Sequence, residues 1–339
     1  MSGRFLGLSA MPSERSHMMK EFARSALKCS GSYYYRLRAT KVVWQHLLNR
    51  EGRCRYREHP VELSRAETVL LTSLREQGIA IAHVSEFFPS HVFDELVRYV
   101  KSRWQSPDVG QVLQERLAAY RLGKPDVKKA FLVNLWPGEP VLDFDHPFIR
   151  FALSEPILAT VNAYLGMFSK FRAWRLEATI PMPRSVRPSS SQRWHRDEED
   201  RKLVKVFLYL NDVDASAGPF TYLKHSHTTG KWRNLFPMVP PRGSLRMPPN
   251  EDEYIPKSDV IAATGKAGTM IFCDTTGLHK GGLATEKNRF MCTLVYTSSA
   301  SPWPIRYRYP TEFRPENLSP AASFAVRNNP RQREPRFYR

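Results

Sequence analysis

With 339 residues and 39.2 kDa, the chain has room for one large domain or two ordinary ones, and 42% hydrophobic against 25% charged residues excludes a disordered polymer. No apolar run approaches the roughly 18–20 residues of a membrane span, and the charged start MSGRFLGLSAMPSERSHMMK is not expected to act as a secretory leader. The formal charge of +18 sits mainly at the ends: residues 1–60 hold 12 Lys/Arg against 4 Asp/Glu, and residues 301–339 hold 8 against 3.

In chain order, residues 32–50 read as a helix with an apolar stripe of Leu37, Val43, Leu47 and Leu48, ended by Arg50, Glu51 and Gly52. SRAETVLLTSLREQG reads as a second helix, capped by Ser64 and stopped by Gly78. IAIAHVSEFF follows as a first strand and its exit, and helices are expected within 90–122 and over 154–166. The second half changes character. KFRAWRLEATI, LVKVFLYL, PFTYLK, GTMIFCD and RFMCTLVYTS are short runs rich in β-branched and aromatic residues between Gly, Pro and Asp turns. Such a series suggests a barrel or jelly roll, with the helices of the first half on its outer face. Residues 237–256 hold six prolines, and long connections of this kind are often lids. Within 232–264, Arg233, Arg242, Arg246 and Lys257 read either as lid contacts to an anionic group or as a solvated basic loop.

Cys29, Cys54, Cys273 and Cys292 are far apart and form no CxxC pair, which argues against a zinc knuckle or disulfide scaffold and suits the reducing cytoplasm. The basic balance suits an anionic substrate or a soluble basic surface. Nucleic acid is disfavoured as a partner, since no zinc finger or RNA-binding aromatic signature accompanies the charge.

The chemistry concentrates in SQRWHRDEED and GLHKGG, which carry His195, Asp197 and His279. Residues i and i+2 on an extended strand share a face, so an imidazole and a carboxylate spaced this way can grip one ion. A histidine from a distant strand completes a two-His, one-carboxylate face that leaves positions open for substrate atoms and O2, as in non-haem Fe(II) oxygenases. HxD alone is a weak signal in a chain with ten histidines. Arg289 strengthens it. It heads RFMCTLVYTS, sharing a face with Met291 and Thr293, and its planar fork suits the far carboxylate of a dicarboxylate co-substrate.

The ordered set EQGIAIAHVSEFF, WHRD, LVKVFLYLNDVDASAGPFTYLKHSH and GTMIFCDTTGLHKGG resembles the phytanoyl-CoA dioxygenase family of Fe(II)- and 2-oxoglutarate-dependent oxygenases, over residues 66 to 298 or so. The resemblance implies an α+β fold whose mainly β core is a double-stranded β-helix over about 171–298. It implies iron held by His195, Asp197 and His279, 2-oxoglutarate held by Arg289, and O2 as oxidant. Phe207, on one strand face with Lys205 and Tyr209, falls at a bulky position lining the co-substrate pocket; ordinary core packing is an equal reading. Two departures stand out. His225 occupies a position where the family often has Gly, and it reads with His227 as structural. Met291 occupies a position where some related oxygenases carry Ser.

The expected organisation is a basic helical extension over 1–60, an oxygenase domain over 61–300 and a Pro/Arg-rich tail over 301–339. The expected activity is oxidation, by hydroxylation or a related desaturation or ring closure, of an unactivated C–H bond in a small molecule. Asp197 argues against halogenation, because related halogenases have a small residue there. Three alternatives stay open at this point: a nucleic-acid-modifying oxygenase, a β-barrel metalloenzyme that does not use 2-oxoglutarate, and a silent binding protein on the same fold.

Overall fold

The structure is a computed structural model that describes residues 36–38, 40–121, 129–183, 188–238, 247–311 and 317–327. The expected helix over 32–50, whose residues 32–35 and 39 lie outside the described ones, does not end at Gly52. A π-helical stretch, Val43–Leu48, passes through Asn49 directly into α1 (Arg50–Glu58). Leu37 and Leu47 are exposed, whereas Trp44 is buried and donates its indole N–H to Asp200 at 2.7 Å. Gly52 is a point of close approach. A β-carbon there would lie 3.0 Å from the Phe168 carbonyl, and the Phe168 N–H donates to the Gly52 carbonyl at 3.0 Å.

Helix α2 (Arg65–Gln77) starts at a capping box: the Ser64 hydroxyl accepts from the Glu67 N–H, and the Glu67 carboxylate accepts from the Ser64 N–H at 2.7 Å. Gly78 ends it at φ 79°, where a β-carbon would lie 2.4 Å from the Tyr222 hydroxyl. The chain continues through β1 (Ile79–His83), α3 (Ser90–Trp104), α4 (Pro107–Arg121), β2 (Leu132–Asn134), α5 (Pro147–Ala152) and α6 (Glu155–Leu165). Then come β3 (Lys170–Thr179), β4 (Leu203–Tyr209), β5 (Phe220–Leu223), β6 (Val260–Ala263), β7 (Thr269–Cys273), β8 (His279–Lys280), β9 (Arg289–Thr297) and α7 (Pro320–Val326). Four of these, β2, α5, β6 and β8, are too short to show a period in the sequence.

The strands form a six-stranded sheet of order β1-β7-β4-β9-β3-β2 and a three-stranded sheet of order β6-β5-β8, with antiparallel pairing throughout. The first half of the chain is therefore not only a helical layer, because β1 and β2 close the two edges of the large sheet. Alternation along the central strands sends residues to two different cores. Val204, Val206 and Leu208 of β4, Met270 and Phe272 of β7, and Leu294 and Tyr296 of β9 pack on the helical side. Phe207, Tyr209, Ile271 and Cys273 face the small sheet and meet Phe220 and Tyr222. Both faces are buried, which is why these strands read as largely apolar runs, not as a strict alternation. Helix α7 packs on β3, and the Lys170 ammonium donates to the Phe324 carbonyl at 2.7 Å. No helix among the described residues is long and apolar enough to cross a membrane.

Candidate active site

His195 and His279 meet without lying on one regular strand pair. An isolated bridge joins them: the His195 N–H donates to the His279 carbonyl at 2.9 Å, and the His279 N–H returns to the His195 carbonyl at 3.0 Å. The expected strand over 195–197 is reduced to this bridge and one further bond, from the Asp197 N–H to the Thr275 carbonyl at 2.8 Å. The side chains still converge. One ligand atom from each of His195, Asp197 and His279 lies within 4.8 Å of the others, and His279 Nε2 is 3.4 Å from Asp197 Oδ2.

Both imidazoles are oriented by a backbone carbonyl at Nδ1. His195 Nδ1 donates to the Arg193 carbonyl at 2.8 Å and His279 Nδ1 to the Gly277 carbonyl at 2.9 Å, so each Nε2 is the nitrogen left for a metal. Burial, reinforced by the neighbouring His279, pushes the His195 imidazole down to about 4, which keeps it neutral. Burial would raise Asp197, but Lys205 and the two histidines outweigh it and hold the carboxyl well below the usual range.

Arg196, between His195 and Asp197, turns to the opposite side. Its buried guanidinium donates to the carbonyls of Ser226, Thr276 (2.6 Å) and Leu235 (2.9 Å), tying the 226–236 loop to the segment that precedes His279. Asp274 braces that segment, accepting from the Tyr164 hydroxyl at 2.6 Å and the Thr276 hydroxyl at 2.7 Å. Part of the Pro-rich connection is fixed beside His195: Glu251 binds Arg193 and accepts the Trp194 N–H at 3.1 Å. Arg233 and Lys257 do not line the cavity described below, and Arg242 and Arg246 lie outside the described residues. His225 binds the end of α2 through the Glu76 and Gln77 carbonyls, each at 2.8 Å, and stands with His227 apart from the three-residue cluster.

The cluster opens into a cavity of about 420 Å³, within the usual range for small-molecule sites. Phe207 lines it and packs against Phe220 in a tilted pair, 4.5 Å between ring centroids, within the buried cluster between the sheets. Arg289 also lines it, only 3% exposed. Its guanidinium donates to the Gly218 carbonyl and to the Thr179 hydroxyl at 3.0 Å, while Nε has no partner. A buried guanidinium that meets neutral oxygens and no carboxylate is the donor set an incoming carboxylate would complete.

Residues 139–291 match the family model for phytanoyl-CoA dioxygenase (PhyH). This part of the chain is a phytanoyl-CoA dioxygenase domain. The match takes in His195, Asp197, Phe207, His279 and Arg289, and it starts downstream of EQGIAIAHVSEFF. A domain of this kind marks an enzyme, and the family it matches depends on Fe(II), 2-oxoglutarate and O2. Comparison with curated protein sequences gave no match. Among solved structures, the chain is similar to EctD from S. alaskensis in its apoform, with 16% identity over 74% of this chain and 91% of that one and a TM-score of 0.46. It is also similar to SnoN, a non-haem α-ketoglutarate-dependent epimerase from nogalamycin biosynthesis, at 16% identity over 69% and 81% of the two chains and a TM-score of 0.43.

Lys205 is the residue of the dioxygenase domain whose place in the site sequence reasoning missed. Its ammonium sits 2.6 Å from Asp197 and 3.0 Å from Glu199. The signal was present, because Lys205 shares a strand face with Phe207, but nothing local tied it to a carboxylate eight residues earlier. Lys205→Met is expected to destabilise the metal-free protein by about 3–5 kcal/mol, since it leaves Asp197 and Glu199 without their cation. Manganese(II) should restore much of that. The check is a pair of thermal melts with and without the metal, against the unmodified protein.

Proposed function

We propose that the protein oxidises an unactivated C–H bond of a small molecule, most simply by hydroxylation, on a double-stranded β-helix formed by its two facing sheets. In this reading the oxygenase domain spans 61–300, His195, Asp197 and His279 hold the iron, Arg289 holds 2-oxoglutarate and Phe207 walls the co-substrate pocket. One observation carries it: two imidazoles and a carboxylate converge in the same cavity as a buried arginine that lacks an anionic partner.

When bound, the iron with its co-substrate and O2 supplies the oxidising power to break the C–H bond. The chain's own residues supply geometry. The Arg193 and Gly277 carbonyls fix the imidazole tautomers, and the bridge between residues 195 and 279 sets their separation. Arg289 anchors the far carboxylate of the co-substrate, which leaves its keto-acid end for the metal. Phe207 and Phe220 supply an apolar wall that excludes water. Asp197 keeps a carboxylate at the third ligand position, which favours oxygen insertion over halide transfer.

The test is succinate release from 2-oxoglutarate with and without Fe(II), across a panel of small-molecule acceptors. Iron-dependent release stimulated by one acceptor, with that acceptor gaining one oxygen by mass, is the expected result. Succinate release independent of iron would overturn the reading.

A further inference from the structure

The cavity has a second cationic group that the co-substrate cannot use. Arg289 opposes Thr179 across the β3/β9 pair, whereas Arg175 opposes Thr293, four residues further along β9. At the strand rise of about 3.3 Å per residue, the two rows are roughly 13 Å apart. Phe207 sits in the Thr293 row on the other side of β9. Arg289 is buried at its end of the cavity, and Arg175 is exposed at its own. Lys129, half-buried, lines the same cavity.

These two cations differ from the others in the lining. Lys205 is bound to Asp197 and Glu199, and Arg289 to Gly218 and Thr179. Among the described residues, neither Lys129 nor Arg175 has an ion-pair partner within 4.0 Å. Glu177, on the same strand face as Arg175, forms no ion pair with either. Burial, then the neighbouring Arg175, lower the Lys129 pKa, with Glu177 acting in the opposite sense. Across the lining, four cations (Lys129, Arg175, Lys205 and Arg289) face three carboxylates (Glu177, Asp197 and Glu199), and a metal dication and a dicarboxylate co-substrate cancel each other's charge, so the loaded site keeps one net positive charge.

We infer that Lys129 and Arg175 form the recognition site for an anionic group, a carboxylate or a phosphate, on the substrate to be oxidised. The inference rests on the reading of this cavity as the place where co-substrate and substrate meet. It makes the substrate an acid or phosphate ester whose charged end is held at the exposed end of the cavity, with the apolar part directed toward the metal face past Phe207.

The experiment uses the full chain loaded with manganese(II) and N-oxalylglycine, an unreactive 2-oxoglutarate analogue. Hexanoate, hexyl phosphate and hexanamide serve as probes. Binding is read from the manganese-induced relaxation of the probe protons, and by calorimetric titration of the same probes into metal-free protein. Both anions should bind more tightly than the amide, and whichever binds better identifies carboxylate or phosphate as the preferred group. In the Lys129→Gln/Arg175→Gln double variant, the anions should weaken about tenfold, the loss of two partly exposed charge contacts, while hexanamide is unchanged. Equal binding of anions and amide, or equal loss of all three in the variant, would overturn the inference. Manganese occupancy, measured separately by electron paramagnetic resonance in the unmodified protein and in His195→Ala, reports on the metal-site reading alone. If that reading fails, the calorimetric arm still decides the charge preference.

Discussion

His195→Ala is expected to abolish iron binding and turnover together. In the proposed site the imidazole is one of three protein donors, and its loss would leave Asp197 and His279 with an incomplete face. Loss of a partner residue around a metal ligand typically costs about 10–100-fold in affinity or activity, and loss of the ligand itself should exceed that. The fold should tolerate the change, because the bridge between residues 195 and 279 is made by main-chain groups. The measurement is Fe(II) binding by calorimetry beside succinate release, with circular dichroism to confirm folding. Retention of tight iron binding by a folded His195→Ala protein would remove the metal-site assignment.

Arg289→Ala should separate the co-substrate from the metal. Arg289 belongs to β9 and lies outside the cluster of His195, Asp197 and His279. Metal affinity is therefore expected to stay nearly intact while the 2-oxoglutarate KM rises. Removing one partner of a charge-assisted contact in a largely dry pocket costs about 2–5 kcal/mol, or roughly 30- to 5,000-fold. Arg289→Lys should recover only part of this, because an ammonium cannot present two parallel donors. A 2-oxoglutarate titration of succinate release, paired with iron binding, measures both variants. An unchanged KM in Arg289→Ala would show that the co-substrate is held elsewhere, even with the iron site intact.

Much of this protein was legible in the order of its residues. Ser64 and Gly78 announced a helix by their own chemistry, since caps and left-handed glycines act within a few bonds. The main strands declared themselves through β-branched and aromatic runs, and His195, Asp197 and His279 through their types and order. What lay beyond the sequence was settled by contacts between distant segments. Gly52 reads locally as a stop, yet the helix runs through it because the absence of a β-carbon lets the Phe168 backbone approach. His195 and Asp197 look like neighbours on a strand, but a bridge to His279 and a bond to Thr275 hold that backbone in place. The pairing of Lys205 with Asp197 and Glu199, and the row that separates Arg175 from Arg289, depend on strand register, to which one residue's chemistry contributes little. Local signals act through covalent geometry and so can be read along the chain, whereas register and charge pairing depend on which buried surfaces meet, and only the folded structure decides that.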